Sequence, residues 1–161
     1  MIEPVYSVSL KHNLVVVKIA GNWDIQADIG YLTLDGEQAG FDVFSRSTVP
    51  DINAKFQPDG DLIAFVSFRS GERQLWLKDN NKTYQLTKFE QGLNSTRYDW
   101  APNGKSLVVN VNNQIALVNL DGSYQIVESP VAARLVLPWT IPHKLLVIDN
   151  QSDQQQLFDI D

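Results

Sequence analysis

An all-β fold made of several small antiparallel sheets is predicted by three features of the sequence. Short runs rich in Val, Ile, Leu, Phe, Trp and Tyr alternate with clusters of Gly, Asn, Asp and Pro, the punctuation of strands and turns. No window holds a helical apolar period for long enough to support a helix. One phrase also recurs: "FQPDGDLIAFVSFRSGERQLWL" at 56–77 is echoed by "WAPNGKSLVVNVNNQIALVNL" at 100–120.

The echo is one of pattern more than identity. Phe56, Pro58 and Gly60 fall on Trp100, Pro102 and Gly104 at one constant offset. The register then shifts once, and "RQLWL" and "QIALV" align together with Tyr84-Gln85-Leu86 and Tyr124-Gln125-Ile126. The later copy is therefore shorter in the hairpin around Arg69, Ser70 and Gly71. Length variation in a turn costs little. Two weaker copies flank this pair. "VSLKHNLVVVKI" opens the first, which has a longer hairpin through Gly21, Asn22 and Trp23, and "YLTLDG" there echoes "LVNLDG" at 117–122. "LPWTIPHKLLVIDNQSDQQQLFDID" repeats the sense of the second unit, with His143 in place of the turn glycine.

Within the second unit, strands are expected near 53–57, 62–68, 74–79 and 83–88. Pro58-Asp59-Gly60 is a turn in which Pro presets φ while Asp and Gly accept positive or bridge-region angles. Asn80-Asn81 and Asp121-Gly122 read as tight hairpin turns. A four-stranded unit recurring at this spacing is the pattern of propeller blades, because each blade can bury its faces only against neighbours. The predicted fold is an all-β, β-propeller fragment of about four blades, in one partial domain, with blades at approximately 1–48, 49–92, 93–130 and 131–161. An open sandwich or barrel of similar strands is the competing architecture. Phe56 and Trp100 precede the turns, where an innermost strand passes between blades, so loss of Trp100 is expected to harm folding before function.

The quoted residues resemble the Pro-Asp-Gly repeats of TolB-type, WD-like β-propellers, with their aromatic-Ser-Pro-Asp-Gly turn, Ile-Ala-Phe strand, Ser-x-Arg-x-Gly hairpin and Leu-Thr ending. The second unit matches with Gln57 where Ser is usual. The third keeps Trp100, Pro102 and Gly104 but has Asn103 and lacks the Arg-x-Gly hairpin. "SRSTVPDINAKFQPDG", "SGERQLWL" and "NVNNQIALVNLDG" further resemble the C-terminal propellers of membrane-anchored, winged-helix transcriptional regulators of the CadC type. That resemblance implies a periplasmic region whose DNA-binding domain and membrane helix lie outside these residues. A cytoplasmic location stays open on the residues themselves.

Composition narrows the chemistry. A chain of 161 residues can bury a real core without disulfides. It has no cysteine, which removes Cys-based zinc sites and Cys nucleophiles without fixing the compartment. A net charge of −6 opposes a phosphate-neutralising surface, so direct nucleic acid contact is not expected. The apolar runs are too short for a membrane span, and any membrane attachment is expected through a flanking segment. His12 and His143 sit in predicted turns without metal-ligand spacing. Asp24 with Asp28, and Asp149 with Asp153, lack the ligand alternation of a calcium loop. No nucleophile elbow or phosphate-cradling glycine loop is present. No catalytic residue, metal site or cofactor is therefore expected.

Binding by a scaffold remains. Arg69, Arg73, Arg97, Tyr98 and Asp99 are the candidate partner-binding residues. Arg69 and Arg73 flank a hairpin tip, and Arg97 to Asp99 enter the inner strand of the third unit. Arg69 has a second role available, bracing its own hairpin. The leading expectation is a non-enzymatic sensory module that recognises a protein or small-molecule signal on a propeller face. Self-association through exposed terminal blades is also expected. A TolB-type envelope component is another reading within the binding class. The alternative from a different class is the gating propeller of a prolyl-oligopeptidase-like serine hydrolase whose catalytic domain lies elsewhere.

Overall fold

The computed structural model describes residues 6–9, 11, 14–20, 27–33, 41–136, 141–149 and 151–160. The hairpin through Gly21, Asn22 and Trp23, His12, and the Asp24 carboxylate lie outside them. The described chain is strand, turn and irregular structure throughout. It divides into two compact units, Met1–Gln85 and Leu86–Asp161.

The first unit holds two four-stranded sheets. One is formed by β1 (Tyr6–Ser9), β2 (Leu14–Ala20), β3 (Ala27–Thr33) and β4 (Phe41–Ser45). The other is formed by β5 (Asp51–Phe56), β6 (Ile63–Ser67), β7 (Gln74–Lys78) and β8 (Thr83–Gln85). Each sheet is an antiparallel meander in chain order. The inner strand β5 lies against β1, β2 and β3 of the preceding sheet. Ile29 from the first sheet meets Ala54, Ile63 and Phe65 of the second, with Phe56 and Trp76 packed beside them. The cross-strand partners Phe56 and Ile63, and Phe65 and Trp76, put these side chains on one face. Ala64, Val66, Leu75 and Leu77 on the opposite face are fully buried as well. Strand β6 therefore reads as an apolar run from Ile63 to Val66, the pattern of a strand covered on both faces.

The second unit repeats the plan. Strands β9 (Tyr98–Trp100), β10 (Ser106–Val111), β11 (Gln114–Asn119) and β12 (Tyr124–Val127) form a meander. Strands β13 (Ala133–Val136), β14 (Lys144–Asp149) and β15 (Gln155–Asp159) form a sheet of three strands among the described residues. Val108 and Ile115 of one sheet pack with Ala133, Val136, Leu145 and Val147 of the next. Strand β13 again lies against the middle strands β10 and β11. The buried Asn110 side chain donates to the Ala133 carbonyl and ties the two sheets together.

The expected strands of the second repeat are all present, with shifted ends. Strand β5 begins at Asp51 because Asn53 adopts φ 55° and makes a bulge between Ile52 and Lys55. Asn tolerates the left-handed region better than most residues. Strand β8 ends at Gln85, ahead of the expected 88, because Leu86 and Thr87 turn inward and are buried. The left-handed residue of the turn after the inner strand also moves from sheet to sheet. It is Asp59 at φ 54° in one, Gly104 at φ 67° in another and His143 at φ 58° in the last. Asn112 and Asn113, at φ 51° and 59°, make the β10–β11 hairpin, as both positions of a type I′ turn require.

Two carboxylates hold the outer hairpins. Asp79 Oδ1 accepts from the Asn81 and Lys82 amides at 2.7 Å each. Asp121 Oδ1 accepts from the Ser123 hydroxyl at 2.6 Å and from its amide at 2.9 Å. The Lys82 and Asn81 amides pull the Asp79 pKa below its ordinary value, and the Ser123 hydroxyl and amide do the same for Asp121. Gly122 follows at φ 85°, and a Cβ there would stand 2.7 Å from the Leu86 carbonyl oxygen.

Two outcomes follow from these turns. Gly122→Ala meets both left-handed strain and a backbone clash, so it should destabilise by about 1–3 kcal/mol. Gly71→Ala, at φ 98° in open space, should cost less, with urea midpoints ranking the two; equal midpoints would remove the role of the Leu86 carbonyl. Each depressed carboxylate stabilises the fold above its unfolded pKa, and that contribution is lost as pH falls through the lower folded value. An Asp79→Asn, Asp121→Asn double variant should therefore lose stability less steeply than wild type below about pH 4 in acid titrations.

Candidate functional site

Antiparallel meanders place alternate turns at opposite ends of a sheet, so the first unit offers two distinct ends. At one end the chain enters β5 at Asp51 and turns from β6 to β7 through Phe68–Arg73. Asp51 pairs across the sheet with Ser67, which brings its carboxylate beneath that hairpin. Arg69 Nη2 reaches Asp51 Oδ2 at 2.5 Å and Nε reaches Oδ1 at 3.3 Å. The Asp51 side chain is fully buried and that of Arg69 is 23% exposed. The guanidinium also lies 5.8 Å from the Phe65 ring centre and 5.6 Å from that of Trp76. A planar fork suits both tasks, since it binds a carboxylate through two donors and stacks on aromatic faces. The Arg69 amide donates to Ser67 Oγ at 3.2 Å and sets the start of the turn.

Arg69, one of the five sequence candidates, is thus engaged within its own sheet. Arg73 is half-buried just before β7. The other candidates lie in the second unit. Arg97 is exposed and its amide donates to Ser95 Oγ at 3.0 Å. Tyr98 is 2% exposed opposite Val109, while Asp99, opposite Val108, is half-buried on the other face. The five residues fall in two groups on separate units. Alternation along β9 further divides the second group between sheet faces.

The other end of the first unit holds a cleft of about 320 Å³. Its walls are the β1–β2 turn of one sheet and the β5–β6 turn of the next, brought together because β5 packs on β1. Val8, Phe56 and Pro58 supply apolar lining, and Ser9, Lys11 and Asp59 supply polar groups. Val8 is 47% exposed. Ser7 Oγ accepts from the Phe56 amide at 3.1 Å and fixes the two inner strands beside the cleft. Lys11 Nζ meets Asp61 Oδ1 at 2.7 Å, linking the two turns with both side chains at least half-exposed. An exposed pair of this kind contributes little stability and opens easily.

Gln57 braces the second wall. Its Oε1 accepts from the Leu62 amide at 3.2 Å, and its backbone amide donates to the Leu62 carbonyl at 2.8 Å. The side chain folds over Gly60, in the space a Cβ would fill. Ser9, Lys11 and Gln57 were not among the sequence candidates. The Gln at the usual Ser position was visible, yet its contact with the turn depends on the fold.

The cleft thus combines an apolar floor with an ammonium and carboxylates at its rim, above turns held by hydrogen bonds to the backbone. Among the described residues, no three His, Cys, Asp or Glu side chains gather to hold a metal ion. No helix among them is long and apolar enough to cross a membrane.

No family profile matches the chain, and no curated protein sequence does. Solved structures resemble it in fold. TolB from Acinetobacter baumannii superposes with a TM-score of 0.71 over 96% of this chain, at 16% identity. A chain of a nidogen/laminin complex gives 0.67 over 96% at 11% identity, and an oligogalacturonate lyase in complex with manganese gives 0.68 over 98% at 15%. This chain spans 39%, 58% and 47% of those three chains respectively. The fold is that of all-β propeller blades, shared by TolB-type and other propeller proteins.

The buried ion pair makes a stability test. Arg69→Ala removes a two-donor partner from the buried Asp51 carboxylate and should cost about 3–5 kcal/mol in urea unfolding. Arg69→Lys should recover only part, lacking the fork. Replacing both partners, as Asp51→Val with Arg69→Met, should restore most of the loss. A double-mutant cycle without coupling would show that the pair does not hold the hairpin.

Proposed function

We propose that this chain is a non-enzymatic recognition module, in which propeller blades present a cleft between adjacent sheets to a segment of a protein partner. The observation that carries the reading is the cleft formed by Val8, Phe56 and Pro58 with Lys11 at its rim. An apolar side chain of the partner fills the floor. Polar groups of the same segment engage Lys11 and Asp59, fixing its orientation in the way small polar sets do in apolar sites. The walls are held by Ser7 and Gln57 through backbone hydrogen bonds, so little ordering is required on binding.

In this reading the module is the periplasmic part of a membrane-anchored transcriptional regulator. The support is the sequence resemblance of "SRSTVPDINAKFQPDG", "SGERQLWL" and "NVNNQIALVNLDG" to regulators of the CadC type. Signalling then requires the partner to bind one arrangement of the regulator more tightly than another.

The test selects short displayed peptides on the wild-type protein and measures the enriched sequences, as synthetic peptides, by calorimetry. Val8→Asp and Lys11→Glu should each weaken binding about tenfold. Arg73→Ala, at the far end of its sheet, should leave it unchanged. Failure to enrich any peptide, or peptides indifferent to both cleft variants, would overturn the proposal.

A further inference from the structure

A second surface lies in the other unit, on the outer edge of its four-stranded sheet. Strand β12 is the edge strand there and pairs only with β11 within that sheet. Its residues Tyr124, Gln125 and Ile126 are exposed, with Tyr124 at 54% and Ile126 at 43%. Tyr124 and Ile126 lie opposite Val118 and Ala116, so they share one face. The Tyr124 ring stands edge-on to the buried Phe89 ring at 4.9 Å. It is thus an exposed aromatic side chain already held in place.

Sheet edges usually carry features that prevent pairing with other chains: a charge, a bulge or a very short strand. The other outer strands among the described residues have them. Strand β4 carries Asp42 and pairs through a register shift. Strand β8 is three residues long. Strand β15 carries Asp159, which meets Lys144 Nζ at 2.6 Å. Strand β12 has no charged residue and an unbroken register with β11.

Charge appears only at the two ends of β12. Asp121 precedes it and Glu128 follows it, both exposed. The Ser123 hydroxyl and amide hold the Asp121 carboxylate in its ionised form. From this pattern we infer that the edge of β12 accepts an extended segment of a protein partner, with an uncharged alternating core flanked on both sides by Lys or Arg. The backbone of that segment extends the sheet, its apolar side chains cover Tyr124 and Ile126, and its basic flanks meet Asp121 and Glu128. Such strand addition takes affinity from main-chain hydrogen bonds and specificity from the alternating side chains. A second copy of this chain fits less well. Antiparallel pairing of β12 with itself sets the acidic residues of one copy against those of the other, and like charges disfavour that arrangement.

The test uses two synthetic peptides that alternate Val and Thr, one flanked by Lys-Arg and one by Asp-Glu. Binding is followed by fluorescence anisotropy, with amide shifts and hydrogen exchange read by NMR on the 161-residue protein. The basic-flanked peptide should shift and protect amides within 124–127. Its acidic twin should bind about tenfold more weakly at low salt. Ile126→Pro, which removes an amide that faces away from β11 and stiffens the strand, and Ile126→Lys should each weaken binding about tenfold. The Ile126 side chain is exposed, so Ile126→Lys preserves the test if Ile126→Pro does not fold. Equal binding of the two peptides, shifts mapping away from β12, or indifference to Ile126→Lys would overturn the inference. So would a dimer of the protein alone in sedimentation that Ile126→Lys dissociates, because the occupant would then be a second copy.

Discussion

A four-stranded sheet whose middle strands are apolar on both faces cannot be stable alone, and this constraint governs the molecule. Every residue of β6 is buried, and β10 is buried from Leu107 to Val111. Two apolar faces require two covers, and within each unit one cover is the inner strand of the following sheet. Strand β5 covers the first sheet, and β13 covers the third. The repeat in the sequence is therefore a repeat of mutual burial, and the Phe56-x-Pro58 phrase closes the inner strand that covers the first sheet.

This dependence explains why polar groups inside the sheets are few and specific. The Asn110 amide bridges to the Ala133 carbonyl where its counterpart in the preceding sheet is the apolar Val66. Asp51 is tolerated at zero exposure because Arg69 supplies a two-donor fork. Burying such a charge is costly unless it is paired, so the arginine at the hairpin tip is as much a component of the core as Phe65 beneath it. The same reasoning separates the ends of the sheet. One end is closed by this ion pair, whereas the other is spanned by the exposed Lys11–Asp61 pair, which contributes little stability.

The fold was legible in the sequence because its signals are local. Strand alternation, the Pro58-Asp59-Gly60 turn and the offset between Phe56 and Trp100 each occupy a few residues, and the structure contains the strands they imply. Strand ends were less legible. The Asn53 bulge and the inward turn at Leu86 follow from packing against other elements, which no local window contains. The cleft was not legible, for a related reason. Its two walls come from turns some fifty positions apart, Ser9 with Lys11 and Gln57 with Asp59. Sequence patterns marked each turn, but only the packing of β5 on β1 makes them one site. Arg69 shows the intermediate case: its hairpin was readable, whereas its partner Asp51 follows from the antiparallel register that sets Asp51 across from Ser67.

A scaffold stabilised by stacking separates the residues that hold it together from those free to vary. Side chains facing neighbouring sheets are fixed by volume, while turns and outer strands need only return the chain in register. The turn after the inner strand illustrates this freedom. Its left-handed position passes from Asp59 to Gly104 to His143 without loss of the hairpin. At Gln57 the usual Ser is replaced by a longer side chain that braces the loop through Leu62 while its neighbours line the cleft. Recognition in such a protein is expected where this freedom meets a fixed backbone, at the junction of two turns or along an outer strand. Both the cleft beside Lys11 and the uncharged edge of β12 meet that condition, and neither alters the burial on which the sheets depend.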